Sequence, residues 1–359
     1  MLRAVRHSFE QHRAARKFAH LAKHHPLRYL FLEVTRKCNL SCTYCGSGCS
    51  PSWSNREMES SGWIRVLHQI AEDFPPKEVM LAITGGEPLL KPGFFDIIAE
   101  ADTLGFPYGM VTNGGLLDRE AARKLAASRI GAISISFDAP PELNDTLRGK
   151  GTARRVEQAI TNLRKAGYKR RLEIISTIVK PAVPNLHKLR EHIAGMKVAE
   201  WRLAPVIPIG RAAGTEDLIP DAADIRAILE FVKAGRADGL LPKPEFGEEC
   251  YLGPSYEGTV RPFKYLCRAG LTVGGILCDG RIGACPELPD CFVQGDIHTD
   301  RFKDVWQTRY QALRDRAWTR RGTCASCDSF GACQGGSLHL YRDLDGQPIR
   351  CFYKMLEAD

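Results

Sequence analysis

The stretch "CNLSCTYC", residues 38–45, places Cys38, Cys42 and Cys45 in a CxxxCxxC spacing directly after the apolar run "YLFLEV" of residues 29–34. Three thiolates this close can hold three corners of an iron–sulfur cluster. A fourth would close it, so an iron left open to a second ligand needs three alone. The spacing also admits a structural zinc loop, although zinc sites usually pair two CxxC units or Cys with His. Cys49, just past Cys45 in a Gly-Ser-Gly loop, adds either a fourth ligand or a free thiol.

Working outward, the 13 cysteines fall in two groups: Cys38 to Cys49, then nine from Cys250 to Cys351, with none between. The N-terminus has no apolar signal core, and no apolar run approaches the roughly 18–20 residues that span a bilayer. The default compartment is therefore the cytosol, where thiols serve as metal ligands or catalytic groups more often than as disulfides. With 44% hydrophobic and 26% charged residues in 359, the chain is long enough to bury a large core, and its composition excludes a disordered or fibrous class. The formal charge of +8 is concentrated: residues 1–28 carry seven Lys or Arg against one acid, Glu10. A helix there is either a solvated cap or a docking face for an acidic partner or anionic surface. Elsewhere no basic stripe is interleaved with aromatics, so nucleic acid is not an expected partner.

Between residues 29 and 208, short strand-like runs ("YLFLEV", "EVMLAIT", "YGMVTNG", "AISISFD", "RLEIISTIVK", "WRLAPVIP") alternate with helical patterns. Six strands in such alternation predict parallel pairing through right-handed crossovers, an α/β fold built as a partial (β/α)6 barrel. Functional residues then belong at the C-terminal ends of the strands. "TGGEP" (Thr84–Pro88), "VTNG" (ending at Gly114), "SISFD" (Ser134–Asp138) and "APVIPIGRA" (ending at Ala212) all fall there. The two glycines allow close backbone approach, and Glu87 suits an ammonium group. A helix around "DAADIRAILEFVKAG" precedes a Pro- and Gly-rich linker, and "GGILCDGRIGAC" predicts a hairpin turning on Asp279 and Gly280. The last hundred residues, poor in regular pattern and rich in cysteine, suit a small metal-held domain.

On these motifs residues 28–215 resemble the radical S-adenosylmethionine (SAM) enzymes. The resemblance implies a [4Fe-4S] cluster on Cys38, Cys42 and Cys45, with SAM chelating the fourth iron. It places Tyr44 near the adenine and has Gly85, Gly86 and Glu87 meet the methionine amino group. Asn113, Ser136 and Asp138 stand at strand ends that touch the ribose or carboxylate, and Arg148 meets the carboxylate. The chemistry implied is reductive cleavage of the sulfonium to a 5′-deoxyadenosyl radical that abstracts hydrogen from carbon. It also implies an external electron donor such as flavodoxin or ferredoxin.

The C-terminal third is similar to the SPASM extension of these enzymes, which binds one or two auxiliary [4Fe-4S] clusters. Cys324, Cys327, Cys333 and Cys351 match a complete four-thiolate set. Cys267 and Cys285 match part of the other set, but Ser337 stands where the pattern expects cysteine. Cys291 is favoured over Cys278 as a third ligand, because the expected hairpin separates Cys278 from Cys285 by roughly 13 Å at about 3.3 Å per residue. His339 or a substrate group is left for the fourth place, or the cluster is absent. The expected division is a basic N-terminal helix (1–27), a radical SAM core (28–215), a helix and linker (216–262) and a SPASM domain (263–359). The resemblance implies modification of a peptide or small protein by crosslinking, epimerisation or oxidation. The alternatives are oxidation of a small-molecule or tetrapyrrole precursor, or a non-catalytic iron–sulfur scaffold or electron carrier. The 28 residues before the barrel are too few for a winged-helix peptide-binding module, so leader recognition would rest on the basic helix or on a separate protein. No catalytic acid or base is singled out.

Overall fold

Apolar runs of this length bury both faces only when strands lie side by side between helices. In the computed structural model, which describes residues 2–248 and 250–357 with side chains from Phe9 onward, they form one 10-stranded sheet. The ends of the expected terminal segments, Met1 and Ala358–Asp359, lie outside the described residues. After helix α1 (Leu2–His24), strands β1 (Tyr29–Thr35), β2 (Met80–Gly85), β3 (Tyr108–Thr112), β4 (Ala132–Ser136), β5 (Arg171–Ile178) and β6 (Glu200–Pro205) are neighbours in space in sequence order. All five pairings are parallel. The crossovers carry α2 (Ser60–Asp73), α3 (Phe94–Leu104), α4 (Arg119–Ala127), α5 (Pro141–Arg148), α6 (Thr152–Lys165) and α7 (Leu186–Gly195). Helix α2 shows why they cover the sheet: Trp63, Val66, Leu67 and Ile70 recur at helical spacing and all are buried. Helix α4 begins at Asp118, whose carboxylate accepts from Ala121 N at 2.8 Å and satisfies one of the free N–H groups of its first turn.

The expected six strands are therefore the centre of an open parallel sheet, a partial barrel, and the structure extends it at both edges. After α8 (Ala222–Ala237), the stretch read as a linker supplies β7 (Lys243–Phe246), parallel to β6. The rest of that stretch turns inward, burying Tyr251, Leu252, Tyr256 and Val260. Its irregular backbone leaves carbonyls unpaired, and the fully buried Arg261 supplies donors for them. The guanidinium donates to Glu248 O (2.7 Å), Cys250 O (2.6 Å) and Glu257 Oε1 (2.6 Å). Proline and glycine density signalled irregular backbone correctly, but not burial.

At the other edge β8 (Val273–Ile276) adds parallel to β1, and β9 (Arg281–Gly283) and β10 (Gly295–Asp296) follow antiparallel. The cysteine-rich region thus continues the barrel's own sheet. Its hairpin turns differently from expectation: Gly280 N donates to Leu277 O and Leu277 N to Arg281 O, and of Asp279 and Gly280 only the glycine takes positive φ, +98°. Beyond lie α9 (Phe302–Thr308), α10 (Gln311–Arg314), α11 (Phe330–Cys333) and α12 (Phe352–Glu357). Helix α1 is not a solvated cap all round. One face packs on this region, with Phe18 against Leu266 and Leu271 and Gln11 Oε1 accepting from Ala332 N. Among the described residues no helix is long and apolar enough to cross a membrane.

Replacing Arg261 by Met should lower unfolding stability by about 3–5 kcal/mol in urea titration, because Glu257 and the carbonyls lose a buried partner. A loss under about 0.5 kcal/mol, as at an ordinary surface position, would return the segment to linker status.

Candidate functional site

Parallel strands deliver their following loops to one end of a sheet. Here the ends of β1 to β6 surround a cavity of about 420 Å³ lined by Cys38, Cys42 and Cys45, with Tyr44, Gly85, Gly86, Asn113, Ser136 and Arg148 around them. Cys49 lines it too. Burial pushes the thiols of Cys38 and Cys42 up. Cys45 is drawn down to about 5, first by a hydrogen bond with the Cys49 thiol and further by the charge of Arg211. Asn113 Nδ2 lies 3.7 Å from Cys38 Sγ.

The cysteine loop has little regular structure and is clamped from two sides. On one, Gly86 N donates to Thr35 O (2.7 Å) and Glu87 N to Lys37 O (2.9 Å). A Cβ on Gly85 or Gly86 would stand 2.2 Å from the Thr35 or Lys37 oxygen respectively. These glycines line the cavity as expected, yet what their missing side chains permit is the approach of two backbones. On the other side, after β6, Arg211 Nε and Nη2 donate to Cys42 O (2.9 and 2.7 Å), Nη1 to Cys49 O (2.8 Å), and its backbone N to Cys45 O (3.0 Å). Sequence reading singled out this stretch as a strand end but not Arg211, whose partners lie some 160 residues upstream.

Two expected SAM contacts stand behind the cavity wall. Glu87 is fully buried, its oxygens accepting from Thr112 Oγ1 (2.8 and 2.9 Å), Asn113 N (2.8 Å) and Leu89 N (3.2 Å). Burial raises its carboxyl against these donors. Asp138 Oδ2 accepts from Tyr44 Oη (2.5 Å) and Arg148 Nη1 (2.6 Å), and Oδ1 from Thr177 N (2.8 Å). Burial alone would lower the Arg148 guanidinium, but Asp138 overrides it and the net shift is upward. Both carboxylates position residues that reach the cavity: Thr112 and Asn113 for the first, Tyr44 and Arg148 for the second.

The wall beyond the cysteine loop carries groups the sequence did not mark: Arg202, Glu248 and Glu287. Glu248 pairs with the buried His339 at 2.9 Å. Burial opposes the imidazolium there, but Glu248 prevails and lifts His339 to about 9. The Glu287 side chain is exposed to the cavity, and a Cβ on Gly46 of the cysteine loop would stand 3.5 Å from its Oε1. The surrounding protein raises its carboxyl, with Glu248 and Cys45 adding to the rise and His339 opposing it.

In the C-terminal region burial first, and then neighbouring thiols of the group Cys324, Cys327, Cys333 and Cys351, raise the thiols of Cys324, Cys333 and Cys351. Cys267 neighbours His339 and Tyr265. Beside it the buried Tyr265 Oη and Ser337 Oγ have no hydrogen-bond partner of good geometry. The two hydroxyls lie near enough to act on each other, and a better-placed partner would relieve part of the roughly 1–3 kcal/mol cost of a buried unpaired polar group. Cys291, favoured on spacing, is exposed, with its Sγ toward Arg342 O at 3.8 Å. It lies in a short 3₁₀ turn at 290–292 on the surface, which strand spacing alone does not reveal. Cys278 faces Glu33 and Glu57 instead.

Three thiols at the mouth of an open parallel barrel, with a cysteine-rich extension on the same sheet, define an iron–sulfur protein with a small-ligand cavity. The chain belongs to the radical SAM enzymes that carry a C-terminal SPASM domain. The model of the radical SAM superfamily matches residues 32–194, and that of an iron–sulfur cluster-binding domain, SPASM, residues 267–328. Mycofactocin maturase MftC of Mycolicibacterium smegmatis is 32% identical over 313 residues, 85% of this chain and 76% of that protein. The AdoMet-dependent heme synthase of Methanosarcina barkeri is 25% identical over 348 residues, 91% of this chain and 97% of that protein. SuiB of Streptococcus suis, solved with precursor peptide SuiA, shares the fold with TM-score 0.71 at 20% identity, over 93% of this chain and 78% of that one. The cofactors are accordingly a [4Fe-4S] cluster with SAM and auxiliary iron–sulfur clusters, and the donor set in the cavity fits the first two: three thiols, glycine backbone, an amide and a guanidinium.

Glu87→Gln should lower the melting temperature of the cluster-free protein by about 1–3 °C, for the roughly 1–2 kcal/mol lost when an amide faces three donors. An unchanged melting temperature with weakened SAM binding would make Glu87 a direct ligand instead. Arg211→Met should cut 5′-deoxyadenosine formation at least about tenfold, since three charge-assisted hydrogen bonds to the cysteine loop are lost; wild-type rates at full iron loading would remove the clamp from the argument.

Proposed function

We propose that the protein is a peptide-modifying radical SAM enzyme, in which Cys38, Cys42 and Cys45 hold the catalytic cluster. Bound there, the cluster and SAM supply a 5′-deoxyadenosyl radical able to take hydrogen from unactivated carbon. Cys324, Cys327, Cys333 and Cys351 hold one auxiliary cluster, and Cys267 with Cys285 contribute to another site beside Ser337 and His339. Tyr44, Asn113, Ser136 and Arg148 orient SAM from the strand ends, with Asp138 fixing Tyr44 and Arg148. Arg211 and the two glycines hold the loop closed behind it.

The observation that carries the peptide reading is the acidic far wall. On that wall His339 pairs with Glu248 and Glu173 with Arg202, which leaves Glu287 as the carboxylate facing the space where a substrate carbon must meet the radical, and a carboxylate in a partly enclosed site favours N–H donors and repels carboxylates. A peptide offers amides and amines; a tetrapyrrole precursor brings several carboxylates. Mycofactocin maturase, by its name a maturase, supports the first reading. The heme synthase, which aligns across nearly its whole length, supports the second.

Coexpression with a short peptide encoded beside the gene, followed by mass spectrometry, tests the choice. The expected outcome is a peptide mass change absent from the Cys38→Ala, Cys42→Ala, Cys45→Ala triple variant. Glu287→Gln should reduce that conversion about ten- to a hundredfold, the worth of a hydrogen bond to a charged acceptor. Conversion of a tetrapyrrole with no change in any peptide would overturn the reading.

A further inference from the structure

Helix α1 divides into two faces. Gln11, Phe18 and their neighbours at helical spacing pack inward, while Arg13, Arg16, Lys17, His20, Lys23 and His24 form one exposed stripe. Its four Lys and Arg side chains have no ion-pair partner among the described residues, and the helix's sole acid, Glu10, is engaged by Lys264 at 3.0 Å. From Arg13 to His24 the stripe runs about 16 Å at 1.5 Å per residue.

The ground under the helix is specific. Ala332 N donates to Gln11 Oε1 at 2.5 Å, and a Cβ on Gly331 would lie 3.3 Å from the Gln11 backbone oxygen. Gly331 and Ala332 belong to α11, which ends at Cys333. On the same inner face, Arg316 stacks over Phe18 at 5.2 Å while donating to Cys267 O at 2.9 Å. A body seated on the stripe is thus separated from a cysteine of the four-thiol group by little more than the thickness of one helix, about 10 Å.

We infer that the exposed face of α1 is the docking surface for an acidic one-electron carrier protein; this rests on the reading that Cys333 belongs to an auxiliary cluster. Reductive cleavage of SAM consumes an electron at each turnover, so the donor must arrive and leave repeatedly. Electron-transfer encounters are small, weak and run on charge. The stripe has that character: it is rich in unpaired cations, and Phe9 is the one large exposed apolar side chain described on the helix. Placing four cations on one stripe of a chain with a net charge of +8 also steers an acidic partner toward it.

The test uses the reconstituted protein and an acidic bacterial flavodoxin as the probe, with binding measured by calorimetry and initial 5′-deoxyadenosine rates measured with reduced flavodoxin or with dithionite. Wild-type binding should weaken as salt rises from about 0.05 to 0.3 M, because exposed charges are screened. Arg13→Glu, Arg16→Glu, Lys17→Glu and Lys23→Glu together should weaken binding and the flavodoxin-driven rate at least about tenfold, and leave the dithionite-driven rate within about twofold. The four Gln substitutions should weaken binding in the same sense and guard against misfolding of the reversed set. Equal flavodoxin binding by wild type and both variants overturns the proposal. So does a loss confined to binding of a precursor peptide, which would assign the stripe to that partner. Failure of dithionite-driven cleavage in the wild type would instead count against the enzyme reading, while the binding comparison still decides the docking surface.

Discussion

The cysteine loop after β1 depends on two backbone approaches that no side chain could share. Gly86 sits where any Cβ would strike the Lys37 carbonyl, and Gly210, at φ +55°, where a Cβ would stand 2.0 Å from the Gly46 carbonyl. Between these contacts the loop carries its three cysteines with almost no helix or strand to order it. Fixing a residue's backbone costs about 1–2 kcal/mol, so the loop's shape has to come from partners outside itself. The β2 and β6 ends supply them, through the stretches at 84–88 and 204–212. They form the two jaws that hold the loop with its three thiols on one cavity.

The same logic separates the carboxylates. Glu87 and Asp138 occupy positions that a strand-end pattern reads as ligand contacts, yet each is enclosed and committed to donors on neighbouring loops. A buried carboxylate is costly unless several donors meet it, and once met it makes a rigid joint. Glu87 ties β2 to β3, and Asp138 ties the tyrosine of the cysteine loop to Arg148 and β5. Position in sequence tells that a polar group lies at the mouth of the barrel. Whether it faces the cavity or the wall depends on side-chain direction at a single residue, which periodicity does not carry.

What was legible follows from this distinction. The six central strands, their order and the loop cysteines were readable because hydrophobic alternation and cysteine spacing are local signals. β7, the pairing of β8 with β1 and the buried role of Arg261 were not, because a four-residue edge strand such as β7 looks like loop, because a hairpin pattern does not say which strand it joins, and because a buried guanidinium is chosen by carbonyls that lie in three dimensions rather than along the chain. Cys291 shows the limit from the other side: counting residues along an ideal strand set Cys278 aside and left Cys291 in its place, but Cys291, in the turn at 290–292, is exposed. Arg211 and Glu287 share one explanation, since each acquires meaning only through the cysteine loop that folding brings against it.

The continuity of the sheet bears on how the two cysteine groups work together. Had the C-terminal region been a separate domain on a flexible linker, distances between its cysteines and the cavity would vary, and the wall bearing Glu248 and Glu287 would open and close freely. Instead β8 pairs with β1 residue for residue from Tyr29 to Leu32, directly before the cysteine loop, while Arg261 locks the connection at the opposite edge. Glu248, two residues past β7, and Glu287, four residues past β9, are therefore tied to strands of the same sheet that carries the three thiols. The far wall of the cavity and the cysteine loop are thus built on one continuous sheet rather than on two bodies joined by a linker.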